Sequence, residues 1–217
     1  MDTDNTNFDR SGIRKRQKAA RPGQIIEAAL AEFAEKGYAA TRLEEVARRI
    51  GVSKGTIYVY FASKEELFKA MVRATLVPLF EGVEQLVAQS SAGGEALLRA
   101  VLDIAYRGLV GDVKAREFLR LMIGEASRVP DLAKFYLQEI TGRGNRALLG
   151  VLEKGAATGE FSADALARFK AMPEALVAPI VMAALQRLTS NHWDEVPDLE
   201  AQMAAHLDLI LNGLRPR

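Results

Sequence analysis

Within eight residues the stretch Ser53-Lys54-Gly55-Thr56-Ile57-Tyr58-Val59-Tyr60 gathers two small hydroxyls, a cation, a glycine and two phenols. That set suits a helix start that must approach a polyanion closely. Its side chains are donors with little bulk, and the partial positive charge of a helix N-terminus adds to them. Thr56 and Tyr58 can donate hydroxyls to phosphate, and Lys54 can reach a phosphate or a guanine edge. Lys64 adds a second cation at the start of the next helical segment, and Thr41 and Arg42 stand in the same relation to the one before. The same residues could also be the ordinary polar surface of a small helical domain or of a protein-binding adaptor. The crowding of Tyr58, Tyr60 and Phe61 on one short helix favours the nucleic-acid reading, since spacing turns at least one tyrosine outward beside Lys54 and Lys64.

Catalytic chemistry has little to work with. The two histidines, His192 and His206, stand fourteen residues apart, and neither has a carboxylate at recognised catalytic or ligand spacing. There is no cysteine. Gly142-Arg-Gly144 is not continued into a nucleotide-binding fingerprint. The sequence therefore predicts no catalytic residue, no metal ligand set, no cofactor and no enzyme.

The elements that must position the first set are legible from caps and periodicity. A helix over 22–36 begins at Pro22, ends before Gly37 and carries Ile26, Ala29, Leu30 and Phe33 on one face. A capping box, Thr41 to Glu44, opens a second helix with the stripe Leu43, Val46, Ala47 and Ile50. Gly51-Val52 breaks it, Ser53 caps a third short helix to Tyr60, and a second capping box, Ser63 to Glu66, opens a fourth. The fourth stripe runs through Leu67, Met71, Leu76, Leu79, Phe80, Val83 and Leu86, with a kink expected at Pro78. Helix, glycine break and helix over 42–60 predict a helix-turn-helix.

Beyond Ser90 the pattern is helical over 93–110, 114–127, 131–158, 163–171, 173–190 and 197–213, and no segment alternates as a strand. The fold class is all-α: a three-helix helix-turn-helix domain joined by a linking helix to a larger helical domain. The expected divisions are a basic, mobile arm at 1–21, the DNA-binding domain at 22–68, and an effector-binding and dimerisation domain at 69–217. Phe80, Ile104, Phe118, Met122, Phe135, Phe169 and Met172 are core residues singly. As a set they permit an apolar cavity for a small molecule. Ala183, Ala184 and Leu188 with Leu199, Met203, His206 and Ile210 offer apolar stripes on two helices, one of which can pair with a second copy to form a homodimer.

Composition sets the frame. The 217 residues are 49% hydrophobic and 26% charged with a net charge of +1, ordinary for a globular protein. The charge is uneven: residues 10–80 carry 14 Lys/Arg against 7 Asp/Glu, and residues 81–217 carry 15 against 18. A basic head on a slightly acidic body predicts a polyanion partner for the head alone. No run is apolar enough for a membrane span or a signal peptide, so a cytoplasmic location is expected.

The ordered run from Thr41 to Leu67, with Thr56-Ile-Tyr-Val-Tyr-Phe61 and Ser63-Lys-Glu-Glu-Leu67 in register, resembles the N-terminal domain of the TetR family of transcriptional regulators over residues 22–70. The resemblance implies that Thr56, Tyr58 and Lys64 contact phosphates of double-stranded DNA, and that Thr41, Arg42, Lys54, Gly55 and Tyr60 lie at the DNA surface. Ser53 starts the same helix. The stretch from Phe118 to Leu132 is loosely similar to the family's effector domains. The resemblance further implies a repressor with a ligand-binding and dimerisation domain and does not identify the ligand. The apolar residue set above predicts a small apolar or amphipathic molecule, whose binding to the C-terminal domain releases the homodimer from a palindromic operator.

Overall fold

In the computed structural model of the protein, residues 6–125, 128–189 and 197–216 are described, with side chains from residue 18 onward. The described residues hold helices and no strand. They form two compact units, Met1–Ala74 and Thr75–Arg217.

The first unit is built on α1 (Thr6–Ala40), α2 (Leu43–Arg49), α3 (Lys54–Tyr60) and the start of α4 (Lys64–Gln89). The segment expected as a separate arm is helical from Thr6, and α1 runs through Pro22 instead of beginning there. Proline removes one donor without stopping a helix whose flanking residues stay in helical geometry. The expected end holds: Gly37 has φ 79°, a conformation open to glycine, and it bends the chain out of the helix. Gly51, at φ 67°, makes the turn between α2 and α3.

The unit's core is Ile25, Ala29, Phe33, Val46, Ile57, Leu67 and Phe68, all fully enclosed. Ile25 takes the central place expected for Ile26, which is half-buried. Phe33, Tyr38 and Phe68 stack with centroids 5.1–5.6 Å apart and tie α1 to α4. Around them, Glu32 accepts from Lys36 at 2.7 Å and from Arg49 at 2.9 Å, clamping α2 against α1. The Lys36 and Arg49 bonds hold the Glu32 carboxyl below its ordinary pKa.

The second unit contains the rest of α4, then α5 (Gly94–Ala105), α6 (Val113–Glu125), α7 (Pro130–Tyr136), α8 (Gly142–Ala157), α9 (Ala163–Ala171), α10 (Ala178–Thr189) and α11 (Leu199–Leu214). Wider π-type turns at Tyr106–Gly111 and Leu137–Thr141 extend α5 and join α7 to α8. The break expected between 171 and 173 is present, with a short 3-10 turn over Pro173–Leu176. Close packing requires glycine at position 94, where a Cβ would meet the Gly155 backbone at 2.3 Å. α4 continues through Pro78 as one helix. No described helix is long and apolar enough to cross a membrane.

Candidate nucleic-acid interface and effector cavity

The short helix α3 is held by its ends and by one buried residue. Ser53 Oγ accepts from the Thr56 amide at 3.2 Å, the cap its sequence position predicts. Ile57 is fully buried and anchors the helix, which leaves the neighbouring positions outward. Lys54 and Gly55 are exposed, Thr56 is half-buried, Tyr58 is 47% exposed and Val59 is 74% exposed. An ideal Cβ on Gly55 would meet only Ser53 Oγ, at 3.6 Å, so another surface can come close to the helix start. The Thr56 hydroxyl lies 3.0 Å from that of Ser53.

Lys54 is not idle. Its ammonium sits 2.6 Å from Glu44 and 5.6 Å from the Tyr58 ring centroid. The Glu44 bond raises the Lys54 pKa, so the group is a full cation at neutral pH. Arg42, also exposed, precedes α2 as its N-cap residue.

Three expected surface residues turn inward. Thr41 is 2% exposed, and its hydroxyl donates to the carbonyls of Glu32 at 3.1 Å and Gly37 at 2.8 Å. The start of α2 therefore lies one residue later than expected, and only the carboxylate half of a capping box forms there, with Glu45 Oε2 accepting from the Arg42 amide at 3.2 Å. The Lys64 ammonium donates to the carbonyls of Tyr38, Ala39 and Thr41 at 2.8, 3.2 and 3.1 Å. It closes the C-terminal end of α1, where unpaired carbonyls favour a cation. Tyr60 is half-buried, and its hydroxyl donates to the carbonyl of Lys18 at 3.4 Å. Ser63 caps α4 where expected, its Oγ accepting from the Glu66 amide at 3.1 Å. The exposed side chains of the site are thus Arg42, Lys54, Tyr58 and Val59, with Ser53, Gly55 and Thr56 at the helix start. Valine carries no donor, so residue type alone does not mark Val59 as a site residue. Its exposure does.

In the second unit the seven residues expected to line one cavity are dispersed. Phe118, Met122 and Phe135 are buried in the core around α6 and α7. Ile104 lines a groove between α5 and α11, beside Met203. Phe169 and Met172 line another groove near Gly213, and Met172 is 60% exposed. Phe80 borders a wholly apolar cavity of about 70 Å³, which it shares with Leu79, Val101, Ala105, Leu148 and Ile180. Sequence spacing identifies apolar residues but not which of them leave a void.

The expected dimer residues are similarly divided. Ala183, Ala184, His206 and Ile210 are buried in their own unit, because the most apolar stripe of each helix is taken by its own core. Leu188, Leu199 and Met203 are half-buried. The large apolar side chains most exposed on α10 and α11 are Met182, at 56%, and Leu209, at 73%. His206 is 6% exposed, with Nδ1 3.1 Å from the Tyr106 hydroxyl and Nε2 unpartnered. Burial lowers the His206 pKa and raises that of Tyr106. His192 lies outside the described residues.

Comparison with known proteins agrees with this division. Residues 25–71 match the family of bacterial regulatory proteins, tetR family, and residues 95–196 match the AefR-like transcriptional repressor, C-terminal domain. The fatty acid metabolism regulator protein of Bacillus subtilis is 24% identical over 207 residues, spanning 92% of this chain and 98% of its own. The transcriptional repressor KstR2 of Rhodococcus jostii is 28% identical over 148 residues, 68% of this chain and 71% of its own. Among solved structures, FadR of Bacillus subtilis in complex with stearoyl-CoA superposes with a TM-score of 0.68 at 23% identity, covering 88% of this chain and 97% of that one. SmeT, repressor of the Stenotrophomonas maltophilia multidrug efflux pump SmeDEF, gives 0.71 at 21% identity, covering 90% of each. At such identities the solved structures establish the shared fold. With both units matched in order, the chain belongs to the TetR family of DNA-binding transcriptional regulators, which are not enzymes.

Proposed function

We propose that the protein is a dimeric repressor which leaves its operator when an amphipathic molecule with a long apolar part enters the second unit. The observation that carries the DNA half is the outward face of α3, where Lys54, Tyr58 and Val59 stand exposed around the buried anchor Ile57. The effector half rests on the apolar cavity beside α4. At about 70 Å³ it holds little more than two waters' share of liquid, roughly 30 Å³ each. A long chain can enter only if the lining residues give way, and Leu79 and Phe80 of α4 are among them. That helix, Lys64–Gln89, contributes residues to both units. Ligand and operator then favour different arrangements, and each weakens the other's binding.

The stearoyl-CoA complex of FadR supports an acyl thioester as the effector class. The dimer face in this reading is the outer side of α10 and α11, with Met182 and Leu209. It replaces the inner stripe of Ala183, Ala184, His206 and Ile210. A cytoplasmic location fits a regulator of this kind.

The experiment is a titration of the operator complex with free fatty acids and acyl-CoA thioesters of eight to eighteen carbons. The reading expects release that sharpens with chain length and a matching rise in melting temperature. Complexes untouched by the whole series would overturn the effector class. Sedimentation at micromolar concentration should show a dimer, and a monomer would remove the two-fold operator.

A further inference from the structure

The N-terminal part of α1 holds a charge concentration that α3 does not use. Residues 10–21 contain Arg10, Arg14, Lys15, Arg16, Lys18 and Arg21 and no acidic residue. Elsewhere in the unit four cations are held by carboxylates: Lys36 by Glu32 and Glu45, Arg49 by Glu32 and Glu35, Lys54 by Glu44, Lys69 by Glu65 and Glu66. Among the described residues neither Lys18 nor Arg21 forms an ion pair, and Lys18 is exposed.

This basic stretch is part of a helix. α1 is helical from Thr6, so the turns before Pro22 extend it by about 24 Å at 1.5 Å per residue. Positions 14, 18 and 21 share one strip of the helix by register, four and three residues apart. The extension is also tied to α3. Pro22 has no N–H, so the Lys18 carbonyl lacks its i+4 helical donor, and the Tyr60 hydroxyl approaches that carbonyl at 3.4 Å. The C-terminal end of the candidate reading helix therefore touches the basic part of α1 at the one carbonyl the proline releases.

We infer that the N-terminal extension of α1 is a second DNA-contacting element that binds phosphates without reading sequence. It supplies non-specific affinity, while α3 supplies discrimination. The inference rests on the DNA-binding reading above. It requires no partner for residues 10–21 other than the polyanion already engaged by the neighbouring helix. A rod about 24 Å long has room for several phosphate contacts, and each contact releases counterions.

The test is the salt dependence of binding to two duplexes, an operator selected from random DNA and an unrelated duplex of equal length. Two full-length variants are compared with the parent: Arg14→Ala/Lys15→Ala/Arg16→Ala and Lys18→Ala/Arg21→Ala. Alanine keeps the helix, and circular dichroism checks that it does. Each lost phosphate contact should make the slope of log K against log salt shallower by about 0.9. The triple variant is expected to lose about one to three units of slope. Its affinity should fall at least tenfold near 0.1 M salt, by the same factor on both duplexes. A slope unchanged within about half a unit overturns the inference, as does a loss confined to the operator. A loss of binding to anionic-lipid vesicles with the DNA slope unchanged would assign the stretch to a membrane surface and overturn it too. Failure of the parent protein to bind any DNA in a salt-dependent way would instead remove the DNA-binding reading itself.

Discussion

Lys64 and Tyr38 lock the start of α4 to the end of α1: the Lys64 ammonium is 2.8 Å from the Tyr38 carbonyl and 4.5 Å from the centroid of the Tyr38 ring. Two further carbonyls, of Ala39 and Thr41, also accept from it. A residue expected to face phosphate thus closes a helix end. Lys64→Met keeps the stem and leaves three carbonyls without this donor. Hydrogen bonds to charged groups contribute about 1.5–3 kcal/mol, so the variant should lose stability of that order, seen in urea melts. Its salt slope of DNA binding should stay within half a unit of the parent. A stable variant with a slope lower by about one would identify Lys64 as a phosphate contact after all.

Glu44 holds Lys54 at 2.6 Å, and both side chains are about half exposed. Such a pair gains little in water and must open before Lys54 can reach DNA. Glu44→Gln is therefore expected to tighten operator binding roughly two- to fivefold near 0.1 M salt, with fold stability nearly unchanged. Weaker binding would mean that Glu44 orients Lys54 for its contact.

Among the described residues Val59 is the most exposed of the large apolar side chains, and it stands on α3. An apolar side chain in the major groove reads the thymine methyl. One methyl is worth about 0.8 kcal/mol, so replacing the contacted thymine with uracil should weaken binding about fourfold per half-site. Val59→Ala should lose that sensitivity. If no thymine-to-uracil change distinguishes the two proteins, Val59 does not read bases.

Much of this arrangement is visible in the sequence, and the exceptions share a cause. Ser53, Ile57, Ser63 and Gly51 act locally, through caps, a turn and one buried anchor, and their types and spacing suffice to place them. Thr41, Lys64 and Tyr60 are different. Their partners are backbone carbonyls 9, 26 and 42 residues away, and no local pattern says which distant side chain will reach a given carbonyl. Cavity residues escape for a related reason. Phe80 and Phe118 look alike as types, yet Phe80 borders an apolar pocket beside Ile180 while Phe118 is 1% exposed, a difference made by packing across several helices. In α10 and α11 the densest apolar stripe belongs to the chain's own core, so the sparser face carrying Met182 and Leu209 is the one left outward.

His206 gives the second unit a pH dependence. Burial lowers its pKa in the folded state, so the unfolded chain takes up the proton first as pH falls. Stability is then complete above the ordinary histidine value, about 6.5, and declines as pH drops below it toward the lowered value. Melting temperature should fall between about pH 7.5 and 5.5, and His206→Gln should flatten most of that slope. A slope unchanged in the variant would place the proton uptake elsewhere.

The central claim, that two copies of α3 read a two-fold operator, is tested most directly by selecting bound sequences from a random DNA pool at moderate salt. The account predicts one enriched motif with two inverted half-sites, their centres one helical turn of about 34–36 Å or a multiple apart. An enriched single half-site, or no enrichment from a pool that the protein binds, would contradict it.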